Sequence, residues 1–136
     1  MNLQIISNPA KVHTFVNRFS PVPMSAGMKG IGLERDGELV AGVLYEGFNG
    51  SNVWMHVAAE PGKRWMTKAF LEYAFSYPFN EMKVSRVSGW VEANNEEAIA
   101  FDENLGFKRE ATLAGAGRGG VDVFIYKMTR EECQYV

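Results

Sequence analysis

Few residues of this sequence can accept a proton near neutral pH. It has only two histidines, His13 and His56, and an imidazole with an unperturbed pKa of about 6.5 can serve as a base at pH 7. His56 lies inside the apolar stretch 51–59, and Glu92 lies near the end of a later one. A carboxylate becomes a useful base where burial raises its pKa. His56 and Glu92 are therefore the candidate general bases, with Glu60 as a weaker third.

A second group of residues combines cationic side chains with a predicted helix start. Gly62, Lys63, Arg64 and Thr67 lie just before an amphipathic segment, where a helix would begin with unpaired N–H groups and the positive end of its dipole. Cationic side chains there add charge-assisted hydrogen bonds. Trp65 interrupts the run. In the structural interpretation Lys63 and Arg64 are merely solvated and Trp65 fills the core, and the sequence leaves both interpretations open.

Proline and glycine positions divide the N-terminal part into elements. Residues 2–6 are predicted to form a strand. Asn8 then caps a helix, with Pro9 at the first helical position, where its missing N–H is no loss. The helix ends before Pro21. Its apolar residues recur with helical spacing: Val12, Phe15, Val16 and Phe19.

After an irregular loop over residues 20–30, the pattern changes to the alternation of strands. Turns at Asp36–Gly37 and Asn49–Gly50 divide residues 30–59 into three strands, each antiparallel to the next. This spacing places His56 on the face of its strand opposite Met55 and Val57. The same alternation would also allow His56 to be buried under a helix.

The C-terminal part returns to helical spacing and then to strands. A helix is predicted from the residues after Gly62 to Pro78, with a broad apolar face made of Trp65, Met66, Ala69, Phe70, Tyr73, Ala74 and Tyr77. A strand follows over residues 83–94, and a short helix runs from a cap at Asn95 to Asn104. Gly106 takes a left-handed conformation after it. Strands 107–114 and 121–128 flank the glycine-rich turn AGAGRGG.

Bulk composition limits the class of protein. A chain of 136 residues with 46% hydrophobic residues suits a single domain over 1–136. The 14 basic and 16 acidic residues give a net charge of −2, which does not favour nucleic-acid binding. No apolar run reaches the roughly 18 residues of a membrane span. Cys133 cannot form an internal disulfide. We therefore expect a soluble, cytoplasmic protein.

The element order and one segment resemble the GNAT superfamily. The segment Asn95–Phe107, NEEAIAFDENLGF, is similar to that family's N-x-x-A…(E/K)-x-L-G-F pattern, and the likeness extends over about residues 52–132. The resemblance implies an α/β (α+β) fold. Its sheet would be mixed, mostly antiparallel and twisted, with about six to seven strands and helices on both faces.

The resemblance also implies a function and a donor site. Such a protein would transfer an acetyl group from acetyl-CoA to a primary amine of a small molecule or protein, without a metal. Lys63 and Trp65 depart from the family pattern, because they occupy positions where small residues let phosphate approach the backbone. The residues implied to bind the cofactor are Val57, Ala58, Gly62, Lys63, Arg64, Trp65, Thr67, Asn95 and Phe101.

Asp102 is a second departure. Many GNAT enzymes have a tyrosine at this position that protonates the leaving thiolate, whereas an ionised aspartate is a poor donor at neutral pH. Tyr126 and Tyr45 are the nearest substitutes in kind. The alternative function is therefore a catalytically inactive GNAT-fold binding protein, for example a phage or prophage factor acting on a host protein.

The acceptor is left open by the sequence. In this fold it would be set by the loops over residues 20–30 and 115–120, and Asp122 in the last hairpin would contact a cationic substrate or simply stabilise the turn. Trp54 and Trp90 are compatible with a homodimer, although such aromatic residues more often belong to a core.

Overall fold

The computed structural model describes residues 2–62 and 67–136. These residues form seven strands and three α-helices. A turn of π-helix, Tyr77–Glu81, follows the second helix. In chain order the elements are β1 (Leu3–Ser7), α1 (Pro9–Asn17), β2 (Lys29–Arg35), β3 (Glu38–Glu46), β4 (Asn52–Ala59), α2 (Lys68–Ser76), β5 (Arg86–Glu92), α3 (Glu96–Leu105), β6 (Lys108–Leu113) and β7 (Val123–Thr129).

All seven strands form one sheet in the order β1-β2-β3-β4-β5-β7-β6. Every neighbouring pair is antiparallel except β4 and β5, which are parallel. A parallel pair needs a crossover connection, and α2 supplies it. The predicted mixed, mostly antiparallel sheet is thus confirmed, and the strand boundaries differ from the predicted ones by a few residues.

Helix α1 covers one face of the sheet. The side chain of Asn8 accepts a hydrogen bond from the Lys11 N–H at 3.1 Å, as predicted for the cap. Val12, at the centre of the apolar stripe, is fully buried. Glycines in the strands beneath allow this close approach, because a Cβ on Gly30 or Gly42 would lie 3.0 Å from Val12.

Helices α2 and α3 cover the opposite face. The Tyr45 hydroxyl donates to the Ala74 carbonyl of α2 at 2.6 Å, and both faces of the sheet therefore carry helices, as expected. One detail of the predicted second helix is wrong, because Tyr73 is 46% exposed rather than part of the buried face. The α-helix ends at Ser76, before Pro78 as predicted, and Pro78 lies in the π-helical turn that follows.

The segment 95–107 folds as its residue types require. The Asn95 side chain accepts the Ala98 N–H at 3.2 Å. Gly106, with φ of +111°, closes α3 in the left-handed conformation. Phe107 then enters the core. Within the described part of the chain, no helix is long and apolar enough to cross a membrane.

Candidate active site

The central feature of the sheet is a gap between its two parallel strands. β4 and β5 pair only from Asn52 to Trp54, opposite Arg86 to Ser88. Both strands continue beyond these pairs, β4 to Ala59 and β5 to Glu92. The remaining halves diverge, and we call the space between them the splay. It leaves backbone hydrogen-bonding groups without a strand partner, which is unusual inside a sheet.

The register of β4 determines which of its residues face the splay. Glu60 N–H bonds to the Val40 carbonyl of β3, and the Asn52 carbonyl accepts from Asn49. Because hydrogen-bonding directions alternate along a strand, the even-numbered residues of β4 bond to β3. Val57 therefore presents its N–H and C=O to the splay. The backbone of Ala58 is directed to β3 instead, and its side chain is buried against α1.

On the α3 side, the splay is bordered by Gly89 and Asp102. A Cβ placed on Gly89 would lie 3.7 Å from the Met55 carbonyl oxygen and 3.9 Å from Asp102 Oδ2. Burial, with a smaller contribution from Glu103, raises the pKa of Asp102 from 3.8 to about 7. Contrary to the sequence interpretation, this carboxyl is therefore substantially protonated at neutral pH.

On the α1 side, His56 lies within a hydrogen-bonded group. Its Nε2 is 2.5 Å from Glu46 Oε2, and the Ser25 hydroxyl donates to Glu46 Oε1 at 3.0 Å. The imidazole is 7% exposed and meets the Trp90 ring edge-on, with 5.6 Å between centroids. Burial lowers the pKa of His56 in spite of Glu46, which acts to raise it. The imidazole is consequently neutral at pH 7, with Nε2–H donating to the carboxylate.

Glu92 does not meet the condition set for it as a base. It accepts the Arg118 backbone N–H at 2.6 Å and the guanidinium at 2.7 Å. These contacts lower the pKa of Glu92, whereas a base would require a raised one. The contact also holds the β6–β7 hairpin against the end of β5. Glu92 is therefore better described as an anchor for this hairpin.

A cavity of about 820 Å³ opens on the α1 side of the sheet, beside the splay. Its floor includes Trp54 and Trp90, which extend from β4 and β5. The α1–β2 loop and the β6–β7 hairpin contribute its walls. The volume lies within the usual range of ligand pockets. Both tryptophans are half-buried, and both line this cavity.

The other residues predicted to bind the cofactor are dispersed around α2 and α3. Gly62 has a φ of +75°, and the Thr67 hydroxyl caps α2 by accepting the Phe70 N–H at 3.1 Å. Asn95 caps α3 as described above, and Phe101 packs partly buried against the core. Lys63, Arg64 and Trp65 lie outside the described residues.

The alternative proton donors, Tyr45 and Tyr126, already donate hydrogen bonds to other groups of the protein. Tyr45 donates to Ala74, and the Tyr126 hydroxyl donates to Glu103 Oε2 at 2.7 Å; burial raises the pKa of both phenols. Asp122 accepts the Gly115 N–H at 2.9 Å and so stabilises the hairpin turn. Among the residues with described positions, no group of three or more His, Cys, Asp or Glu side chains could hold a metal ion.

Sequence reasoning missed Glu46 and Arg118. Glu46 could have been found, because a hairpin centred on the Asn49–Gly50 turn pairs Glu46 with Trp54 and Leu44 with His56. The side chains of Glu46 and His56 then lie diagonally opposite each other on one face of the hairpin. No comparable signal exists for Arg118, because its position depends on the conformation of a glycine-rich turn.

Comparisons with known proteins connect this geometry to one fold. No family model and no curated protein matches the sequence. Among solved structures, mutant forms of the spermidine/spermine N-acetyltransferase SpeG from Vibrio cholerae match with a TM-score of 0.73 at 14% identity, covering 98% of this chain and 97% of that one. A dodecameric structure of the V. cholerae spermidine N-acetyltransferase matches with a TM-score of 0.72 at 14% identity, over 95% and 94%. A probable acetyltransferase matches with a TM-score of 0.64 at 19% identity, over 77% of this chain and 63% of that one.

These likenesses extend over almost the whole chain in the first two cases. At such low identity they establish the fold alone. The chain has the fold of the GNAT acetyltransferases, with the splay between its two parallel strands.

Proposed function

We propose that this chain, with its GNAT acetyltransferase fold, is an N-acetyltransferase that moves an acetyl group from acetyl-CoA to a primary amine. The observation that supports this most is the splay. It has a protonatable carboxyl, Asp102, on one side of the sheet and a buried neutral imidazole, His56, on the other. A reaction that gives a proton to one atom and removes a proton from another needs these two kinds of group.

The residues of the chain fit the donor. Val57 has an N–H and a C=O facing the splay, and these groups match the amides of a pantetheine arm. The connection that leads into α2 would bind the pyrophosphate through cations and N–H groups. It includes Gly62, Lys63, Arg64, Trp65 and Thr67. Acetyl-CoA would supply the activated thioester carbonyl.

In the proposed reaction, the nitrogen of the acceptor forms a bond to the acyl carbon, and the C–S bond breaks. The proton lost by the amine passes through water to the free Nδ1 of His56, whose Nε2–H is held by Glu46. Asp102 gives its proton to the departing thiolate. Binding of both substrates across the splay also holds the reacting atoms in position.

Two of the comparison proteins are described as N-acetyltransferases of spermidine or of spermidine and spermine. We extend from them only the chemical class of the acceptor, a primary amine. The inactive binding protein remains the second candidate because Lys63 and Trp65 replace small residues in the donor loop. Asp102 no longer supports that alternative, since its raised pKa makes it a usable acid.

Titration calorimetry with acetyl-CoA distinguishes the two candidates. We expect 1:1 binding to the unmodified protein. The double variant Lys63→Glu, Arg64→Glu should weaken it by about tenfold or more, because two cations near the pyrophosphate become anions. Lys29→Glu with Lys83→Glu makes the same change of charge at two exposed positions elsewhere and should leave the affinity nearly unchanged.

The outcomes have different meanings. If the unmodified protein does not bind acetyl-CoA, the acetyltransferase proposal is refuted in favour of the binding protein. Equal weakening in both double variants would mean that overall charge, and not the donor loop, attracts the cofactor.

His56→Ala tests the proposed base. We expect kcat to fall by about a hundredfold, because general-base assistance is lost, while acetyl-CoA affinity is retained. The acidic limb of the kcat profile should disappear in this variant. In Glu46→Gln that limb should move to lower pH, because Glu46 acts to raise the pKa of His56.

His13→Ala is the matched control, since His13 is the other histidine and bonds to the Val22 carbonyl through Nε2. Its acidic limb should match that of the unmodified protein. An acidic limb that persists in His56→Ala would exclude His56 as the base.

A further inference from the structure

The cavity beside the splay has a predominantly apolar lining. Trp54 and Trp90 provide aromatic surface from the strands, and Val123 and Ile125 provide branched aliphatic surface from β7. On the loop side, Pro21 to Met24 add more apolar surface. A ligand that fills this space would gain affinity mainly by burying apolar area.

The charges in the lining cancel each other. Among the described lining residues, Glu92 is the carboxylate and Arg118 the permanent cation, and the two are paired through several hydrogen bonds. His13 is engaged with the Val22 carbonyl. Glu46, which is not part of the lining, is bonded to His56 and Ser25. A ligand with several ammonium groups would therefore bury charges in this cavity without carboxylates to match them, which is costly.

Exposed apolar side chains around the cavity also favour an apolar ligand. Met24 is 54% exposed and Leu113 is 47% exposed, and both line the same cavity, Met24 from the α1–β2 loop and Leu113 from the end of β6. Large apolar side chains that remain open to water around one concave site are typical of a binding surface. Their exposed area would be covered by an apolar ligand.

We propose that the acceptor is a monoamine on an aromatic or branched apolar body, and that polyamines are poor acceptors. This inference rests on the proposed function, since it names the acceptor of the same reaction. The apolar body would lie over Trp54 and Trp90, and its single amino group would be directed toward the splay, where the base and the thioester meet.

The test compares 2-phenylethylamine with spermidine. Binding is measured first without acetyl-CoA, by calorimetry and by the indole N–H signals of the tryptophans, and turnover is then followed as thiol release with acetyl-CoA. We expect 2-phenylethylamine to bind at least about tenfold more tightly than spermidine and to have a kcat/KM higher by at least the same factor.

Leu113 offers a sharp variant because it is exposed and its replacement should not disturb folding. Leu113→Glu introduces an unpaired carboxylate into the cavity wall, and Leu113→Gln is its uncharged match. Relative to Leu113→Gln, we expect Leu113→Glu to improve spermidine binding by about threefold to tenfold, as expected for one added ion pair at a partly exposed site. Both variants should weaken 2-phenylethylamine by a similar factor through lost apolar contact.

Each result has a definite consequence. Thiol release with spermidine but not with 2-phenylethylamine would overturn the apolar acceptor and leave acetyl transfer intact. Selective binding of 2-phenylethylamine without thiol release from any amine would support the cavity assignment and refute the transferase. Absence of binding by 2-phenylethylamine would overturn the inference.

Discussion

Asp102→Asn is expected to lower kcat by about a hundredfold or more and, in the same molecule, to increase the stability of the fold above neutral pH. The first effect follows from removing the proposed proton donor, since general-acid assistance contributes roughly two to four powers of ten. The second effect follows from removing a carboxyl group whose ionised form is unfavourable in its buried position. A residue with a purely structural role would not link these two effects.

The pH profile gives the first check. The pKa of Asp102 is raised to about 7, so kcat of the unmodified protein should fall as the pH rises above this value and the acid becomes ionised. Asp102→Asn should lack this basic limb. Asp102→Tyr should recover part of the lost rate, with a basic limb displaced toward the ordinary phenol pKa of about 10. A basic limb that is identical in all three proteins would exclude Asp102 as the acid.

Urea unfolding gives the second check. The pKa of Asp102 is 3.8 in the unfolded reference and about 7 in the folded protein, so the folded state holds the proton more tightly. Between these values stability falls as the pH rises, and above about pH 7 the whole cost is present. The stability advantage of Asp102→Asn should therefore be near zero at about pH 4. It should reach on the order of a few kcal/mol at about pH 8. An advantage that does not change with pH would contradict the raised pKa.

The segment around Asp102 also illustrates what local sequence can predict. A cap at Asn95 and a left-handed glycine at Gly106 are decided by neighbouring residues, because capping and positive φ are local properties. Both were predicted correctly, and with them the position of α3. The ionisation of Asp102 was predicted wrongly. Its pKa depends on burial between α3, β4 and β5, which are brought together only by the crossover.

Glu92 also shows what local sequence does not predict. Its position near the end of a strand was predicted, and β5 does end there. Its partner Arg118 is 26 residues away in a glycine-rich turn, where the backbone has many accessible conformations. Local patterns do not determine such a pairing. The contact with Arg118 forms only in the folded hairpin, and it lowers the pKa of Glu92. Glu92 is therefore unsuited to the role of base that its position suggested.

The cavity beside the splay depends on a third kind of information, which local sequence does not contain. Trp54 and Trp90 lie on two strands that pair for only three residues before they diverge, and this divergence exposes their faces on the α1 side. Alternation predicts the side of each strand that a residue occupies. It does not predict that two neighbouring strands will separate. The aromatic residues thus looked suited to a core or an interface.

Gly89→Leu is expected to abolish detectable acetyl-CoA binding, a loss of about a hundredfold or more, while the protein remains folded. A Cβ at this position would make only ordinary contacts, 3.7 Å from the Met55 oxygen and 3.9 Å from Asp102 Oδ2. The atoms beyond Cβ would extend into the splay, where the proposed donor thioester would lie. Leucine also suits a strand better than glycine does, so the fold should tolerate it.

Gly89→Ala is the control, because its single methyl group fits the measured space and should change acetyl-CoA affinity by less than about threefold. Calorimetry measures binding in both variants, and thermal unfolding confirms that both are folded. If Gly89→Leu is unstable, Gly89→Val places a smaller obstruction at the same point. Donor binding in the folded leucine or valine variant as tight as in Gly89→Ala would mean that the acyl group does not pass between β4 and β5. Asp102 and His56 would then lie on two sides of a gap that the donor does not occupy, and the proposed chemistry would lose its geometric basis.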